Sequence, residues 1–338
     1  MDLSNGIQAL QHYISSTWWQ WKLGSALLFW RFPTEESRKA ARDGWPVWRI
    51  DGVDLPDYKR KQRAMPTDIA QQLAVKIAKV RKNNYITPCG PTLSDVDYFG
   101  TIKIRDVLAT GKIKVIDIRV VYDATASGLN NAIWAPNFWL PSIDCALRGM
   151  NFGSWAIDFD LGDMFLNFPL PQSLRPYVGI RMEQLHDIIE SMEGQPLIWT
   201  WESWVRYLMG FTASPFCTIK TYYHAEEFVI GDPKEKGSPV RWDRVIVNCI
   251  GSPSFDPRLP MIMKWDDERN CIAGECSTFV DNGRCTGKDD EHAWQVSQRY
   301  TQRLQFLGIQ NAPRNTRPPG NIEARWSLDK EKENAKRQ

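Results

Sequence analysis

Two aspartates far apart in the chain stand where hard-metal chemistry is done. Asp160 closes an apolar run, Trp155-Ala156-Ile157-Asp158-Phe159, and the stretch from Gly153 to Asp160 reads as a buried strand. Asp281 falls in Phe279-Val280-Asp281-Asn282-Gly283. This stretch reads as a hairpin, with Thr278 to Val280 as one strand, Asp281-Asn282-Gly283 as the turn and Arg284 to Thr286 as the return, because Asn-Gly is a strong hairpin signal. Carboxylates at strand ends suit Mg²⁺, a hard ion held by one or two carboxylates plus substrate phosphates. Two such ions about 3.5–4 Å apart would stabilise the attacking and leaving oxygens of a phosphoryl transfer. Aspartate is also common at turns for its own hydrogen bonding, so either residue alone carries little. Asp158 either assists or caps the strand end.

The elements that must position these residues can be read from periodicity. A helix is expected from Thr67 to Lys82, with Ile69, Leu73, Ile77 and Val80 on one face and Thr67 or Asp68 as its cap. Strands are expected at Tyr98 to Ile104 and through the run Ile113, Val115, Ile116, Ile118, Val120, Val121. A turn at Leu161 to Phe165 leads into a short helix. From Trp199 to Phe228 the chain reads as mostly helical, broken at Gly210 and restarted by Ser214 as N-cap with Pro215 in the first turn. Residues 231–275 read as loop-rich. A last helix is expected from Asp289 to Leu307, stopped by Gly308.

Composition bounds the remaining classes. The 338 residues hold 43% apolar and 24% charged side chains, ordinary globular usage. At about 150 residues per domain, that length corresponds to two domains or one large irregular one. Forty-two basic against 40 acidic residues leave +2, which excludes nucleic-acid binding by bulk charge and leaves only local patches. One such patch is Lys59, Arg60, Lys61, Arg63, Lys76, Lys79, Arg81 and Lys82; it reads equally as a phosphate-backbone track or a solvated helix face. Sixteen Trp is an unusual count, and six of them lie in residues 1–65: Trp18, Trp19, Trp21, Trp30, Trp45 and Trp48. They read first as an arm that packs its indoles and second as a base-stacking surface. Seven Cys with no CxxC pair and four scattered His argue against a zinc ribbon or a disulfide framework. With no signal layout at the N-terminus and no long apolar stretch, the expectation is a chain without membrane contact, intracellular in cytoplasm or nucleus and not secreted.

Three blocks in order resemble the palm of reverse transcriptases. Asp160-Leu161-Gly162-Asp163-Met164-Phe165-Leu166-Asn167-Phe168-Pro169-Leu170 is similar to their first catalytic motif. Leu208-Met209-Gly210-Phe211-Thr212-Ala213-Ser214-Pro215-Phe216 is similar to the motif that supports the template and incoming base. Phe279-Val280-Asp281-Asn282 falls where such enzymes carry an aromatic, a variable residue and two aspartates. Upstream, Arg119-Val120-Val121-Tyr122-Asp123 followed by Leu129-Asn130 resembles the fingers segment whose basic residue contacts the triphosphate. The resemblance covers roughly residues 95–310 and is closest to the enzymes of retroelements.

The resemblance implies an α+β right-hand polymerase fold: an antiparallel palm sheet backed by helices, with fingers and a short or absent thumb. The corresponding organisation is an N-terminal arm (1–65), fingers (66–150), palm (151–310) with insertions near 171–205 and 229–275, and a tail (311–338). It implies an RNA-directed DNA polymerase, a nucleotidyltransferase that adds dNTPs to a primer 3′-OH on an RNA or DNA template with Mg²⁺ or Mn²⁺. Asp160 and Asp281 would be metal ligands through their side chains and Leu161 through its carbonyl, with Asn282 beside them in the catalytic turn. Asp163 would offer its backbone N–H near the triphosphate. Phe165 would fill the space beside the sugar 2′ carbon and so favour deoxynucleotides. Arg119 would clamp phosphate, with Lys112 or Lys114 as second candidates. Gly210, Ser214 and Pro215 would let the backbone approach the nascent base pair.

Asn282 departs from the family pattern by replacing the second aspartate and removing one negative charge. Some polymerases of negative-strand RNA viruses are similar in having Asp-Asn at this turn. The departure, with no thumb of ordinary length after Gly308, keeps a second reading open: a degenerate reverse-transcriptase relic that at most binds nucleic acid. A third, an unrelated metal-dependent phosphotransferase built on Asp158, Asp160 and Asp281, leaves the Gly210–Pro215 block without a role.

Overall fold

The computed structural model describes residues 28–59, 62, 64–107, 113–140, 154–194, 197, 200–309 and 320–321. The described helices are α1 (Glu35–Asp43), α2 (Thr67–Lys82), α3 (Leu129–Ala132), α4 (His186–Glu193), α5 (Ser214–Ile230) and α6 (Asp290–Phe306). Strands β1 (Trp48–Arg49), β2 (Ile86–Cys89), β3 (Asp97–Val107), β4 (Ile113–Asp123) and β5 (Ile133–Trp134) precede β6 (Trp155–Asp160). After it come β7 (Gly179–Arg181), β8 (Trp201–Trp204), β9 (Arg244–Val247), β10 (Ile262–Asp266), β11 (Cys271–Ile272), β12 (Glu275–Phe279), β13 (Asn282–Gly287) and β14 (Gly320–Asn321). These strands pair antiparallel in small sheets, so the class is α+β. Two compact units divide the chain. The first takes the described residues of Met1–Asn137 and Phe165–Thr221, the second those of Phe138–Met164 and Tyr222–Gln338. Among the described residues no helix is long and apolar enough to cross a membrane.

In the first unit α2 packs against the β3–β4 hairpin and buries Ala70, Leu73, Ala74 and Ile77. Its bounds match the periodicity, because apolar residues at helical spacing need a surface to cover. Its cap does not match. Pro66 is the N-cap and makes no side-chain bond, and its carbonyl accepts from Ala70 N–H at 2.9 Å. Asp68 in the first turn and Lys79, Arg81 and Lys82 in the last complement the helix dipole instead. Strands β2, β8 and β7 form a three-stranded sheet in which β8 is central. Residues 201–204, expected as helix, are therefore strand: β8 gains ladder bonds on both edges and buries Trp204, whose ring meets Tyr122 edge-on at 4.7 Å. Tertiary pairing overrides local preference here.

Three of the five described residues of the basic patch are ion-paired. Lys59 pairs with Asp57 at 3.2 Å, Lys76 with Asp117 at 2.6 Å, and Arg81 with both Glu193 and Glu202. Arg60, Lys61 and Arg63 lie outside the described residues. Among the early tryptophans Trp45 is buried, with its indole N–H donating to Thr221 Oγ1 at 2.5 Å. Trp48 and Trp30 stay exposed, and Trp18, Trp19 and Trp21 lie outside the described residues.

In the second unit the four-stranded sheet runs in the order β12-β13-β6-β14, with α6 packed across β13 and β6. Asp289 caps α6 by accepting from His292 N–H at 2.8 Å, and Ala293, Val296, Tyr300 and Leu304 are buried. The ring of Tyr300 lies 5.5 Å from that of Phe159 on β6. The loop-rich stretch 231–275 contains a second sheet, β11-β10-β9. Its strands are two to five residues long, too short for alternation to stand out. The six described cysteines are free thiols; Cys145 lies outside the described residues.

Candidate active site

The catalytic candidates of the second unit are held by strand register. Trp155–Asp160 buries Ala156 and Ile157, on opposite faces, and Phe159, and β13 runs antiparallel beside it. Asn282 opens β13 directly opposite Asp160, the last residue of β6. One residue further on, Leu161 N–H donates to the Asp281 carbonyl at 2.7 Å. The end of β6 is thereby tied to the turn that carries Asp281.

That turn differs from the expected one. Phe279 pairs with Asn282, so the two linking residues are Val280 and Asp281, and Asn282 and Gly283 belong to the strand. Val280 has φ +55°, a left-handed conformation that β-branched residues rarely adopt. Gly283 is required for packing rather than turning: a Cβ there would sit 2.0 Å from Phe159 Cζ. The Asn-Gly pair looked like a turn because the ring that needs the glycine is more than a hundred residues away in sequence.

Asp281 is half-buried, and its carboxyl is pushed up, first by burial and further by the charge of Asp160. The two acids feel one another, which is the electrostatic condition a shared cation would relieve. Asn282 Nδ2 donates to Asp281 Oδ1 at 3.0 Å. Asp158 is engaged elsewhere: Arg284, its register partner, holds it with Nε–Oδ1 2.6 Å and Nη2–Oδ2 3.1 Å. Asp163 is exposed, with φ +51°, two residues beyond buried Leu161.

The other candidates belong to the first unit. Arg119 is exposed on β4 opposite Thr101, whose hydroxyl donates to the Arg119 carbonyl at 3.3 Å. Lys114 pairs with Asp106 through the β3–β4 ladder, and Lys112 lies outside the described residues. Phe165 is partly buried in the 3₁₀ turn Met164–Asn167. Gly210 has φ +100°, and a Cβ there would meet the Tyr122 carbonyl oxygen at 2.0 Å. Ser214 is buried but does not cap α5, since its hydroxyl donates to the Leu208 carbonyl at 2.7 Å. Pro215 follows in the first turn.

Two features were given no role of their own from the sequence. Asn130 clamps the Gly210 loop from both sides, with Nδ2 donating to the Gly210 carbonyl at 2.9 Å and Oδ1 accepting from Thr212 N–H at 2.9 Å. Its only sequence signal was the nearby resemblance to a fingers segment. His186, Asp187 and Glu190 bring one ligand atom each within 4.8 Å of one another at the start of α4. The i, i+4 spacing of His186 and Glu190 was the available clue. Both ends of that pair already have backbone partners, because His186 Nε2 lies 2.8 Å from the Leu197 carbonyl and Glu190 Oε1 accepts from Leu197 N–H at 2.5 Å.

Comparison with protein-family models and with curated proteins found no match.

Proposed function

We propose that the chain is an RNA-directed DNA polymerase of retroelement type, with the second unit's four-stranded sheet as its palm. The observation that supports this most is the tie between Asp160 and Asp281: residues 121 positions apart brought to one sheet end by the Asn282–Asp160 register and the Leu161–Asp281 bond. Two carboxylates and the Leu161 carbonyl make an all-oxygen donor set, which fits Mg²⁺ or Mn²⁺. Bound there, such ions would neutralise phosphate charge and lower the pKa of the primer 3′-OH. The chain's own part is positioning and electrostatics. Asp163 would turn its backbone N–H to the triphosphate. Arg119, with Lys112 or Lys114, would hold the phosphates, and Phe165 would leave no room for a 2′-OH. Gly210, Ser214 and Pro215 would seat the template–primer pair on bare backbone.

Extension of a DNA primer on an RNA template with Mg²⁺ or Mn²⁺ tests the proposal. Incorporation of dNTPs in preference to NTPs is expected, increased by Asn282→Asp. Failure of both the wild type and Asn282→Asp to extend would leave the second reading, a degenerate relic that binds nucleic acid without turnover. One contact favours that alternative: the Asn282 amide donates to Asp281 Oδ1, one of the two oxygens the carboxylate has to offer a metal. The relic would bind primer–template with a steep salt dependence and show no synthesis.

A further inference from the structure

Strand pairing in the second unit sets two thiols against each other: Cys276 on β12 stands directly opposite Cys285 on β13. Both are free. Cys285 is fully buried, whereas Cys276 is half-buried on β12, the edge strand of the order β12-β13-β6-β14. Cys276 shares its face of the strand with Thr278, whose hydroxyl donates to Glu226 Oε1 on α5 at 2.9 Å. The thiols therefore face the helices behind the sheet. The Cys276 thiol is pushed up by burial and further by the hydrogen bond it shares with Cys285, so the two groups are in contact. Among the described residues no other cysteines oppose one another in a sheet. Cys89 stands opposite Trp201, Cys271 opposite Asp266, Cys217 belongs to α5, and Cys249 follows β9 outside any strand.

The type of pair matters. A two-residue hairpin loop closes on a hydrogen-bonded pair, here Phe279–Asn282. Pair types alternate along the ladder, so Ser277–Arg284 is again hydrogen-bonded and Cys276–Cys285 is not. In such a pair the Cα atoms stand about 4.5 Å apart, at the near end of the roughly 4.4–6.8 Å that disulfides span. The Cβ atoms stand about 4.5–5.5 Å apart, whereas a relaxed disulfide holds them at about 3.5–4.5 Å. A small shift of the edge strand closes the bond, and the bond closes under strain. Strained disulfides are the readily reduced ones, so this crosslink is reversible rather than permanent.

We propose that Cys276 and Cys285 are a redox-modification site, which low-molecular-weight disulfides such as oxidised glutathione convert to a cross-strand disulfide and thiols reopen. The Cys276 thiolate attacks one sulfur of the oxidant; the S–S bond of the oxidant breaks, a mixed disulfide forms and one reduced thiol leaves. Cys285 then attacks the Cys276 sulfur, the mixed disulfide breaks, the cross-strand bond forms and a second reduced thiol leaves. Two electrons pass from the cysteines to the oxidant, and the two thiol protons leave with its products. The bond ties the same ladder that ends at the Val280–Asp281 turn. This chemistry uses neither Asp160 nor Asp281 and does not rest on the polymerase reading.

Equilibration of the full chain in oxidised glutathione, followed by acid quenching, alkylation of the remaining thiols in denaturant and tryptic mass mapping, tests the proposal. Trypsin cuts after Arg269, Arg284 and Lys288, so the bond is expected to link peptides 270–284 and 285–288, with the loss of two hydrogens. Peptide 270–284 also contains Cys271. The link is expected to persist in Cys271→Ser and to be absent from Cys276→Ser and Cys276→Ala, whose edge-strand position spares the fold, as a thermal melt verifies. Excess reduced glutathione is expected to reopen the bond in the folded chain. Cys276 and Cys285 both alkylated after equilibration, glutathione retained on Cys276 beside a free Cys285, a link that survives in Cys276→Ser, or a link that reduced glutathione does not reopen would each overturn the proposal.

Discussion

Two backbone sites with positive φ, one in each unit, solve the same problem by opposite means. At Gly210 the chain uses the residue that tolerates the conformation, and Asn130 ties the loop on both sides. At the β12–β13 turn the chain places Val280 at φ +55°, where a glycine would be the unstrained choice. The first loop is built for close approach: the Tyr122 carbonyl lies where a Cβ would be. The second is built to present a side chain, because the two-residue turn puts Asp281 at the sheet end beside Asp160. Backbone strain of this kind is worth about 1–3 kcal/mol and persists where surrounding structure over-determines it. Here the ladder from Phe279–Asn282 to Glu275–Thr286 and the Leu161–Asp281 bond supply that surrounding structure.

The contrast can be broken at several points. The largest effect is on the proposed chemistry: for a chain that extends primers, Asp160→Asn or Asp281→Asn should lower that activity by about a thousandfold, roughly 4 kcal/mol of barrier, with little change in thermal stability. Next is Gly210→Ala. The added Cβ must displace the Tyr122 carbonyl and the backbone must hold a strained φ, so a loss of about 3 kcal/mol is expected in denaturant unfolding. Asn130→Ala removes both clamps of the same loop and should cost about 1–2 kcal/mol by the same measurement. Val280→Gly goes the other way: relief of strain should offset the entropy of glycine and raise stability by up to about 1 kcal/mol. A destabilised Val280→Gly would show that the turn is not strained and that the two sites do not differ as described.

A pH titration sharpens the picture of the first unit. Burial pushes Glu202 up to about 7 from an ordinary 4.5, outweighing Arg81. The folded state therefore holds a proton there that the unfolded chain has released, so stability falls as pH rises from about 4.5 to 7. At roughly 1.4 kcal/mol per unit, the contribution is on the order of 3 kcal/mol, and Glu202→Gln should flatten that part of the stability profile.

Much of the frame was legible in the sequence because it rests on local patterning. The helix Thr67–Lys82, the β3–β4 pair, the strand ending at Asp160 and the last helix all follow from periodicity and end signals. What escaped rests on partners distant in sequence. β8 is strand because two other strands flank it, and Gly283 is glycine because Phe159 lies over it. In the basic patch Lys76 and Arg81 are paired because Asp117, Glu193 and Glu202 reach them from elsewhere. An arginine-lined cavity of the first unit was not legible, because its lining comes from α1, α2, β2, β8 and three connecting segments, and no short window contains it.

The central claim is that Asp160 and Asp281 hold divalent cations together. Mn²⁺ binding to the full chain, followed by electron paramagnetic resonance of the free ion, tests it most directly when wild type is compared with Asp160→Asn and Asp281→Asn. The account predicts that each substitution alone removes the same tightest site. Unchanged Mn²⁺ affinity in both folded variants would contradict it.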